Sequence, residues 1–344
     1  MIDLRSDTIT KPTEEMRKAM YVAEVGDDVY GEDPLVQKLE DKAAEILGKE
    51  ASLFVTSGTQ GNQIAVLTHC QPGNEVLLEE DAHIFYYEGG AISAFGGVQT
   101  RTIKGNRGAI NPNDLRTAIR GEDVHFPETG MICLENTHNR AGGAIVPIEN
   151  MREVYQVAQE HNIPVHLDGA RLFNASAELG VPVTAFTEHT TTVQICLSKG
   201  LGAPIGSIIA GSDSFIKRAR KWRKRLGGGL RQVGVVAAPG LIALTKMADR
   251  LKEDHVRARR LAEGLRNIPD LKINNRVDTN IVVVDIEATG KSANEILALL
   301  KNNGILAVPF GPTTIRLTTH HHITDENINQ TLNTFQKLFD TVKK

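Results

Sequence analysis

Cysteine is scarce in this 344-residue sequence, which contains only three such residues. Cys70, Cys133 and Cys196 lie far apart and form no CxxC pair. A disulfide framework needs an even set of cysteines and a structural zinc site needs closely spaced ligands, so the sequence indicates neither. Scattered thiols are typical of a reducing compartment, and we therefore expect a cytoplasmic protein without a metal centre.

Long apolar runs and an excess of charge of one sign are also missing. No uninterrupted apolar stretch approaches the roughly 20 residues that a helix needs to span a bilayer, and the opening MIDLRSDTIT has no apolar signal core. The formal net charge is −3 and the pI is about 6.4. Such a balance provides no general attraction to nucleic acid or to an anionic membrane. We expect a small-molecule partner, and neither nucleic acid nor a membrane.

The stretch that carries most of the chemistry is VQICLSKGLGAPIG, residues 193–206. Its apolar first part predicts a short strand that ends just before Lys199, and Gly200 and Gly202 follow. Burial behind a lysine disfavours the ammonium form and favours an amine that can attack a carbonyl group. The glycines let a flat ligand approach the backbone closely. For this residue taken alone, a surface lysine at a strand end is the alternative.

A second predicted strand, within NIPVHLDGAR, ends at Asp168. Pyridoxal phosphate (PLP) needs a lysine for its aldehyde and an acidic partner for its ring nitrogen. Asp168 and Lys199, each at the end of an apolar strand, suit these two roles. A turn or helix cap is the commoner use of an aspartate before glycine. The pair, rather than either residue alone, therefore predicts a PLP site.

Strands and helices alternate along the first two thirds of the chain. The clearest elements are helix Pro34–Leu47, strand Glu75–Glu79 and helix Ile148–His161. This alternation predicts an α/β fold with a doubly wound, mostly parallel sheet. Later elements follow another pattern, with strands in 279–286 and 314–320 and helices in 292–302 and 325–343. We predict a large cofactor-binding domain with an N-terminal arm over residues 1–250 and a small α+β domain over residues 251–344.

Small and polar residues near other predicted strand ends give further site candidates. The turn SGTQGN (57–62) leads into a helix whose free N–H groups can bind a phosphate, although many strand-to-helix turns look like this. His83 lies just beyond a strand end, where open α/β sheets bind ligands, although a lone histidine is more often structural. Ser6 and Asp7 in the N-terminal arm are possible site residues, with a solvated loop as the alternative.

Two runs of like residues have ordinary structural explanations. From Lys217 to Arg225, seven of nine residues are basic, a pattern that can bind nucleic acid. The run predicts a helix with an apolar face in an acidic chain, so we expect a solvated face or a subunit interface. His320, His321 and His322 resemble a metal site by composition, but adjacent strand residues point to opposite faces. We predict a loop at a strand end.

Taken together, several segments resemble the low-specificity L-threonine aldolases of the PLP-dependent fold type I group, over nearly the whole chain. These segments are LRSDTITKP, VGDDVYGEDP, SGTQGN, LENTHN, HLDGARLFN and ICLSKGLGAPIGS. The resemblance implies a large doubly wound domain, a small C-terminal domain, and a homotetramer whose sites lie between subunits.

The resemblance also implies roles toward the cofactor at matching positions. Lys199 would bind the aldehyde of PLP covalently, and Asp168 would pair with its pyridine nitrogen. Gly58 and Thr59 would bind the phosphate, and Arg231 would reach the cofactor region of the neighbouring subunit.

Toward the substrate, the resemblance implies a second group of residues. Arg171 would lie beside the cofactor and hold the substrate carboxylate together with Ser6 and Arg316. His83 would stack on the cofactor ring and is a candidate for proton transfer. His125 would lie near the substrate hydroxyl, although the chain departs from the family pattern in the following loop, HFPETGM.

The implied reaction is the retro-aldol cleavage of L-threonine or L-allo-threonine into glycine and acetaldehyde. Another PLP enzyme on the same scaffold, such as an aminotransferase or a β-eliminating lyase, would share Lys199 and Asp168, because a fold does not settle a reaction. A non-catalytic protein of this fold would predict the loss of one of these two residues, and both are present.

Overall fold

The structure is a computed structural model, and it describes residues 1–340. In chain order its strands are β1 (Ile2–Asp3), β2 (Ala51–Val55), β3 (Glu75–Glu79), β4 (Gln99–Ile103), β5 (Gly105–Asn106), β6 (Ala109–Ile110), β7 (Thr129–Glu135), β8 (Val165–Asp168), β9 (Thr192–Cys196), β10 (Ser207–Gly211), β11 (Lys272–Ile273), β12 (Ile281–Asp285), β13 (Ile305–Leu306), β14 (Val308–Gly311) and β15 (Thr314–Thr318). Its α-helices are α1 (Glu14–Tyr21), α2 (Pro34–Leu47), α3 (Gly58–His69), α4 (His83–Tyr86), α5 (Ala91–Gly96), α6 (Pro112–Ala118), α7 (Ile148–Glu160), α8 (Leu172–Leu179), α9 (Thr184–Thr187), α10 (Asp213–Arg225), α11 (Gly234–Ile242), α12 (Leu251–Arg266), α13 (Ala293–Asn302) and α14 (Asp325–Asp340).

Seven strands form the large sheet, in the order β2-β10-β9-β8-β7-β3-β4. Strand β10 is antiparallel to both of its neighbours, and the other pairs are parallel. Helices cover both faces of this sheet, so an apolar core lies on each side. Alternate residues of one strand enter different cores: in β3, Leu77 packs in one core, and Val76 and Leu78 pack in the other. The predicted doubly wound, mostly parallel sheet is confirmed.

Helix α2 shows how local chemistry sets an element's bounds. The Asp33 carboxylate accepts hydrogen bonds from the backbone N–H groups of Leu35 and Val36, at 3.1 and 3.2 Å, and so caps the first turn. Pro34 occupies the first helical position, where its missing N–H costs nothing. Gly48 ends the helix in the left-handed conformation, with φ of 61°. The helix has the bounds that the sequence predicts.

A smaller antiparallel sheet, in the order β11-β12-β15-β14, lies in the last third of the chain. A separate apolar core joins it to α12, α13 and α14. Along the sequence, Leu251 is the last buried residue of the core around the large sheet, and Ala258 is the first residue of α12 in the second core. The helix predicted over residues 325–343 is α14, and residues 341–343 of that prediction lie outside the described part of the chain. No helix within residues 1–340 is long and apolar enough to cross a bilayer.

The first residues of the chain pack on the small domain rather than beside the large sheet. Strand β1 pairs in parallel with β13, with Ile2 opposite Ile305. Leu4 is fully buried in the core of the small domain, and its N–H donates to the carbonyl of Leu306 at 2.8 Å. The N-terminal arm that the sequence assigns to the large domain therefore begins on the small one, because Leu4 finds its apolar partners there.

The three consecutive histidines form a loop after β15, as predicted, and fasten the N-terminal arm. His320 Nε2 lies 2.9 Å from the carbonyl oxygen of Asp3. His322 Nε2 accepts from the backbone N–H of Lys11 at 2.9 Å, and His321 Nε2 lies 3.2 Å from the carbonyl of Lys11. These contacts to backbone groups give the three histidines a structural role in holding the N-terminal arm.

The basic helix α10 is only partly solvated. Arg223 is buried and donates to Asp28 at 2.6 Å, and Arg220 pairs with Glu40. Two of its cations therefore hold the helix to the rest of the large domain. This use of the arginines accounts for part of the charge that would otherwise suggest a nucleic-acid surface.

Candidate active site

Four side chains meet at the carboxyl edge of the large sheet. The sequence predicts three of them, and the fourth, Glu135, is found only in the structure. Glu135 and Asp168 are the last residues of β7 and β8, while His83 follows β3 and Lys199 follows β9. Neighbouring parallel strands end at the same edge, so these residues come together. The chain goes from β3 outward to β4 and returns to β7 on the other side of β3, which makes this the kind of crevice where open α/β sheets bind ligands.

Asp168 is buried and accepts three hydrogen bonds. Its carboxylate accepts from Asn62 Nδ2 at 2.8 Å, from Gln194 Nε2 at 3.0 Å and from the N–H of Ala170 at 3.1 Å. Burial alone would raise the pKa of this carboxyl group, but the charges of His83 and Lys199, with these hydrogen bonds, hold it below its ordinary value. Asp168 is therefore a negative charge fixed beneath the crevice.

Asn62 orients the buried groups behind Asp168. Its amide nitrogen donates to carboxylates, so its Oδ1, 3.1 Å from His166 Nε2, acts as the acceptor and the His166 nitrogen carries the proton. The other ring nitrogen of His166 then accepts from the Thr192 hydroxyl at 3.0 Å, and that oxygen lies 3.1 Å from His69 Nε2. Burial lowers the pKa of His166 to about 4 and that of His69 to about 3. Both rings are therefore neutral structural partners.

His83 is held from two sides by carboxylates. Its Nδ1 lies 3.3 Å from Glu88 Oε1, and its backbone N–H donates to Glu135 Oε2 at 2.6 Å. Burial alone would lower the pKa of this imidazole, but the hydrogen bond to Glu88 and the charges of Asp168 and Glu135 raise it, against the opposing charge of Lys199. One donor or acceptor atom each of His83, Glu88 and Asp168 lies within 4.8 Å of the others.

Lys199 lies in the loop after β9 and is half-buried. Its backbone carbonyl accepts from the hydroxyl of Thr10 at 2.9 Å, which ties this loop to the N-terminal arm. Its ammonium charge acts on Asp7, Asp168 and His83. Within residues 1–340 its side-chain nitrogen has no hydrogen-bond or ion-pair partner.

The turn that the sequence assigns to a phosphate becomes the N-terminus of α3. Ser57 caps the helix by accepting from the N–H of Gln60 at 3.1 Å, while the first N–H groups, at Gly58 and Thr59, have no acceptor within the helix. A Cβ at Gly58 would lie 2.9 Å from Cys196 Sγ, so only glycine fits this approach to the sheet. The free N–H groups form a ready anion site.

Arg171 is joined to Asp7 by a buried, two-pronged ion pair. Its Nε and Nη2 donate to the two carboxylate oxygens of Asp7 at 2.8 and 2.6 Å, and Asn280 Nδ2 from the small domain adds a third donor at 3.2 Å. Although burial opposes ionisation, Arg171 holds the pKa of Asp7 well below its ordinary value. The pair leaves Nη1 of Arg171 as the part of the guanidinium not engaged by Asp7.

Arg316, on β15, brings a second guanidinium from the small domain. Its Nη1 donates to Asn139 Oδ1 at 3.1 Å and its Nη2 to the carbonyl of Arg5 at 3.2 Å, while its buried Nε has no partner among the described residues. Burial and the nearby charge of Arg171 lower its pKa from the ordinary value. Two cations near each other with one balancing carboxylate favour an added anion. Ser6 lies next to Asp7, and its hydroxyl accepts from the N–H of Thr8 at 3.2 Å.

Two predicted site residues do not join this cluster within one chain. His125 lies in the loop between α6 and β7, its side chain is 81% exposed, and its ring contacts Asp123 at 2.7 Å. Arg231 lies in the loop between α10 and α11, where it is exposed and bonds to Asp27 at 3.3 Å. Within one chain, therefore, neither residue contacts the cluster around Asp168.

Several residues of this cluster are not among the site candidates that the sequence predicts. Asn62 lies inside the SGTQGN motif but serves Asp168 rather than a phosphate, and Gln194 lies inside the motif around Lys199. Their motif membership was an available signal. Glu88 lies outside these motifs. The contact of Glu135 to His83 forms only because β3 and β7 are neighbours in the sheet.

Comparisons with known proteins identify a family, several sequences and a solved structure that this chain resembles. The model of the Beta-eliminating lyase family matches residues 3–289. The chain is 45% identical to Low-specificity L-threonine aldolase 1 of Arabidopsis thaliana, over 100% of this chain and 98% of that protein. It is 41% identical to the Low specificity L-threonine aldolase of Escherichia coli K12, over 95% and 96% of the two chains. The solved structure of Leishmania major threonine aldolase has the same fold, with a TM-score of 0.86 and 19% identity over 98% of this chain and 100% of that one.

Proposed function

Because the chain belongs to the low-specificity L-threonine aldolases of the beta-eliminating lyase family, we propose that it is a PLP-dependent aldehyde-lyase that cleaves L-threonine and L-allo-threonine into glycine and acetaldehyde. The observation that carries this proposal is the unpartnered amine of Lys199 close to the buried, ionised carboxylate of Asp168. These are the two groups that a PLP site requires at strand ends.

The residues present fit the cofactor. Lys199 would hold its aldehyde, Asp168 its ring nitrogen, and the N–H groups of Gly58 and Thr59 its phosphate. The fit is supported by the donors around Asp168, which keep it charged, and by the glycine at position 58, where any Cβ would collide with Cys196. When bound, PLP supplies an electron sink for the carbon left behind when the Cα–Cβ bond breaks.

The two guanidiniums would orient the substrate. The free part of Arg171 and the unpartnered Nε of Arg316 are the groups that can take up the substrate carboxylate, with the hydroxyl of Ser6 beside them. Anchoring the carboxylate would fix the orientation of the substrate, and with it the bond at Cα that is presented for cleavage. Arg316 comes from the small domain, so binding would also hold the two domains together.

His83 would move the proton of the substrate β-hydroxyl. Cleavage of the Cα–Cβ bond turns this hydroxyl into the carbonyl of acetaldehyde, and its proton must go to a base. The Nδ1 atom of His83 is occupied by Glu88, so Nε2 is the ring atom available for this transfer. An imidazole suits the task because its pKa lies near neutrality.

The decisive experiment is release of acetaldehyde from each threonine diastereomer, followed with alcohol dehydrogenase and NADH. We expect release from both, and we expect borohydride to fix the cofactor to the peptide that contains Lys199. Conversion of an α-keto acid to an amino acid without acetaldehyde would favour an aminotransferase. A label on another lysine would overturn the role of Lys199.

We further propose a homotetramer with sites at subunit interfaces. Apolar side chains of the N-terminal arm are exposed in the single chain, with Tyr21 at 91% and Tyr30 at 77%. Arg231 lies on the same surface through its bond to Asp27, so the surface that would be covered also carries a predicted site residue. His125 would likewise complete the site of a neighbour.

A light-scattering measurement tests the assembly, since a tetramer has about four times the 37.5 kDa mass of one chain. We expect that mass and expect Arg231→Ala to weaken cofactor binding. A monomer with full activity would contradict the proposal. The three cysteines are buried free thiols, which agrees with our proposal of a cytoplasmic setting.

A further inference from the structure

We propose that Glu88 is a positioning residue that fixes the orientation and the charge of the His83 imidazole, an inference that rests on the proposed retro-aldol function. Glu88 lies in the loop just after α4, the helix that begins with His83. Its side chain is completely buried, whereas that of His83 is 30% exposed. A buried carboxylate beside a partly open imidazole suits a group that acts through the ring rather than on the substrate.

Three donors converge on the Glu88 carboxylate. Oε1 receives Asn62 Nδ2 at 2.8 Å and lies 3.3 Å from His83 Nδ1, and Oε2 receives Gln63 Nε2 at 2.7 Å. A carboxylate surrounded by donors accepts from all of them, so His83 Nδ1 carries the proton. The bond therefore fixes the tautomer of neutral His83 and leaves Nε2 as the ring nitrogen that can accept a proton.

Glu88 is also linked to the acid beneath the cofactor. The Nδ2 group of Asn62 donates to Glu88 and to Asp168, each at 2.8 Å. One amide thus sets the spacing between the carboxylate that would serve the cofactor ring and the carboxylate that holds the imidazole. A shift of one of these carboxylates is therefore expected to alter the hydrogen bond of Asn62 to the other.

Other groups face the same ring and contribute to its charge. They are the carboxylates of Glu135 and Asp168, the ammonium of Lys199 and the aromatic ring of Tyr87, whose centroid lies 5.4 Å from that of His83. Among the carboxylates, Glu88 alone bonds to the imidazole itself within the described residues, while Glu135 bonds to the backbone N–H of His83. Glu88 is therefore the group whose charge can be removed with the most direct effect on the ring.

Glu88→Gln removes the charge with little loss of packing. Gln63 Oε1 is a buried oxygen without a hydrogen-bond partner, so rotation of the Gln63 amide would let this oxygen accept from the new amide nitrogen. The remaining oxygen of the variant side chain can still accept from Asn62 and His83. The variant should fold, and its circular dichroism and its cofactor absorbance provide the check.

The first measurement is the pH dependence of His83 modification by diethyl pyrocarbonate, read by mass spectrometry of the labelled peptide. This reagent attacks only the neutral imidazole, so the midpoint reports ring protonation without any substrate. We expect Glu88→Gln to lower the midpoint by about one unit, as loss of a close opposite charge does. An unchanged midpoint would overturn the inference.

The second measurement is threonine cleavage across pH. Because His83 is a weaker base in Glu88→Gln, we expect kcat to fall about tenfold, which is less than the full contribution of a general base. The acid limb of the kcat/KM profile should move down by the same unit as the labelling midpoint, while KM changes less than about twofold. Glu88→Asp keeps the charge and should restore the midpoint while leaving kcat reduced, because its carboxylate is shorter by one methylene.

Glu178→Gln is the matched control. Glu178 contacts Nδ1 of His255 at 2.9 Å, a pair of the same kind that makes no contact with the site residues described above. It should leave the midpoint of His83 and the cleavage rate unchanged; a shift as large as that of Glu88→Gln would overturn the inference. If the wild type releases no acetaldehyde while the midpoint shifts, the proposed function fails and the positioning role stands. If it cleaves threonine with the midpoint unmoved, the reverse holds.

Discussion

Replacing Asp7 by asparagine is expected to cost more stability than any other conservative change in the N-terminal arm. Asp7 is fully buried and Arg171 is 8% exposed, and both oxygens of the carboxylate are used by the guanidinium. The Asp7→Asn side chain would keep the shape but leave the Arg171 cation buried without its counter-charge. Breaking one half of a buried pair costs about 3–5 kcal/mol. We expect the free energy of unfolding to fall by that amount at pH 7.

Urea-induced unfolding of wild type and variant, followed by tryptophan fluorescence and far-UV circular dichroism, measures this difference. The pH dependence gives a second reading. The folded pKa of Asp7 lies below the value of about 3.9 that an aspartate has in an unfolded chain. Its contribution is therefore fully present above about pH 4 and is lost as the pH falls from there toward the folded pKa. The gap between wild type and variant should shrink in acid.

Asp3→Asn in the same arm is the control. Asp3 pairs with Arg5 at 2.5 Å, but that guanidinium is 46% exposed, and solvent-exposed pairs contribute about 0–1 kcal/mol. A loss at Asp7 no larger than the loss at Asp3, or a gap that stays constant from neutral pH to about one unit below the unfolded pKa, would show that the Asp7–Arg171 pair does not hold the arm in place.

Two further substitutions test the proposed cofactor and substrate residues. Asp168→Asn keeps the shape and removes the charge, so kcat should fall at least ~100-fold while PLP remains bound by its absorbance; a near-normal kcat would remove Asp168 from its role. Arg316→Lys keeps the charge but loses the planar fork, so KM for threonine should rise strongly with unchanged PLP absorbance. An unaltered KM would leave Arg171 as the anchor.

The large sheet was predictable because its signals are local. Strand β3 and helix α2 have the predicted bounds, since apolar runs, a capping aspartate and a terminal glycine act within a few residues. The prediction of Lys199 and Asp168 as site candidates likewise used local signals, namely the predicted strand ends and the glycines after Lys199, together with the family resemblance, and the structure places both residues at the same sheet edge.

The rest depends on contacts between distant residues. The partnership of Glu88 with Asn62 spans 26 positions, and that of Asp7 with Arg171 spans 164. No local pattern marks them, because any buried carboxylate looks the same in sequence as a solvated one. The placement of β1 on the small domain escaped prediction for the same reason, since its partner β13 is almost the whole chain away.

The pairing of β1 with β13 also sets an order of events during synthesis. Residues 2–4 are synthesised long before their partners, residues 304–306 and Thr318. Ser6 and Asp7 follow this strand directly, so this segment cannot settle in its place until residues 304–306 have been synthesised. Contacts of such long range form slowly. The strands of the large sheet all lie within residues 51–211, so they can pair before the segment that contains Ser6 and Asp7 is held in place.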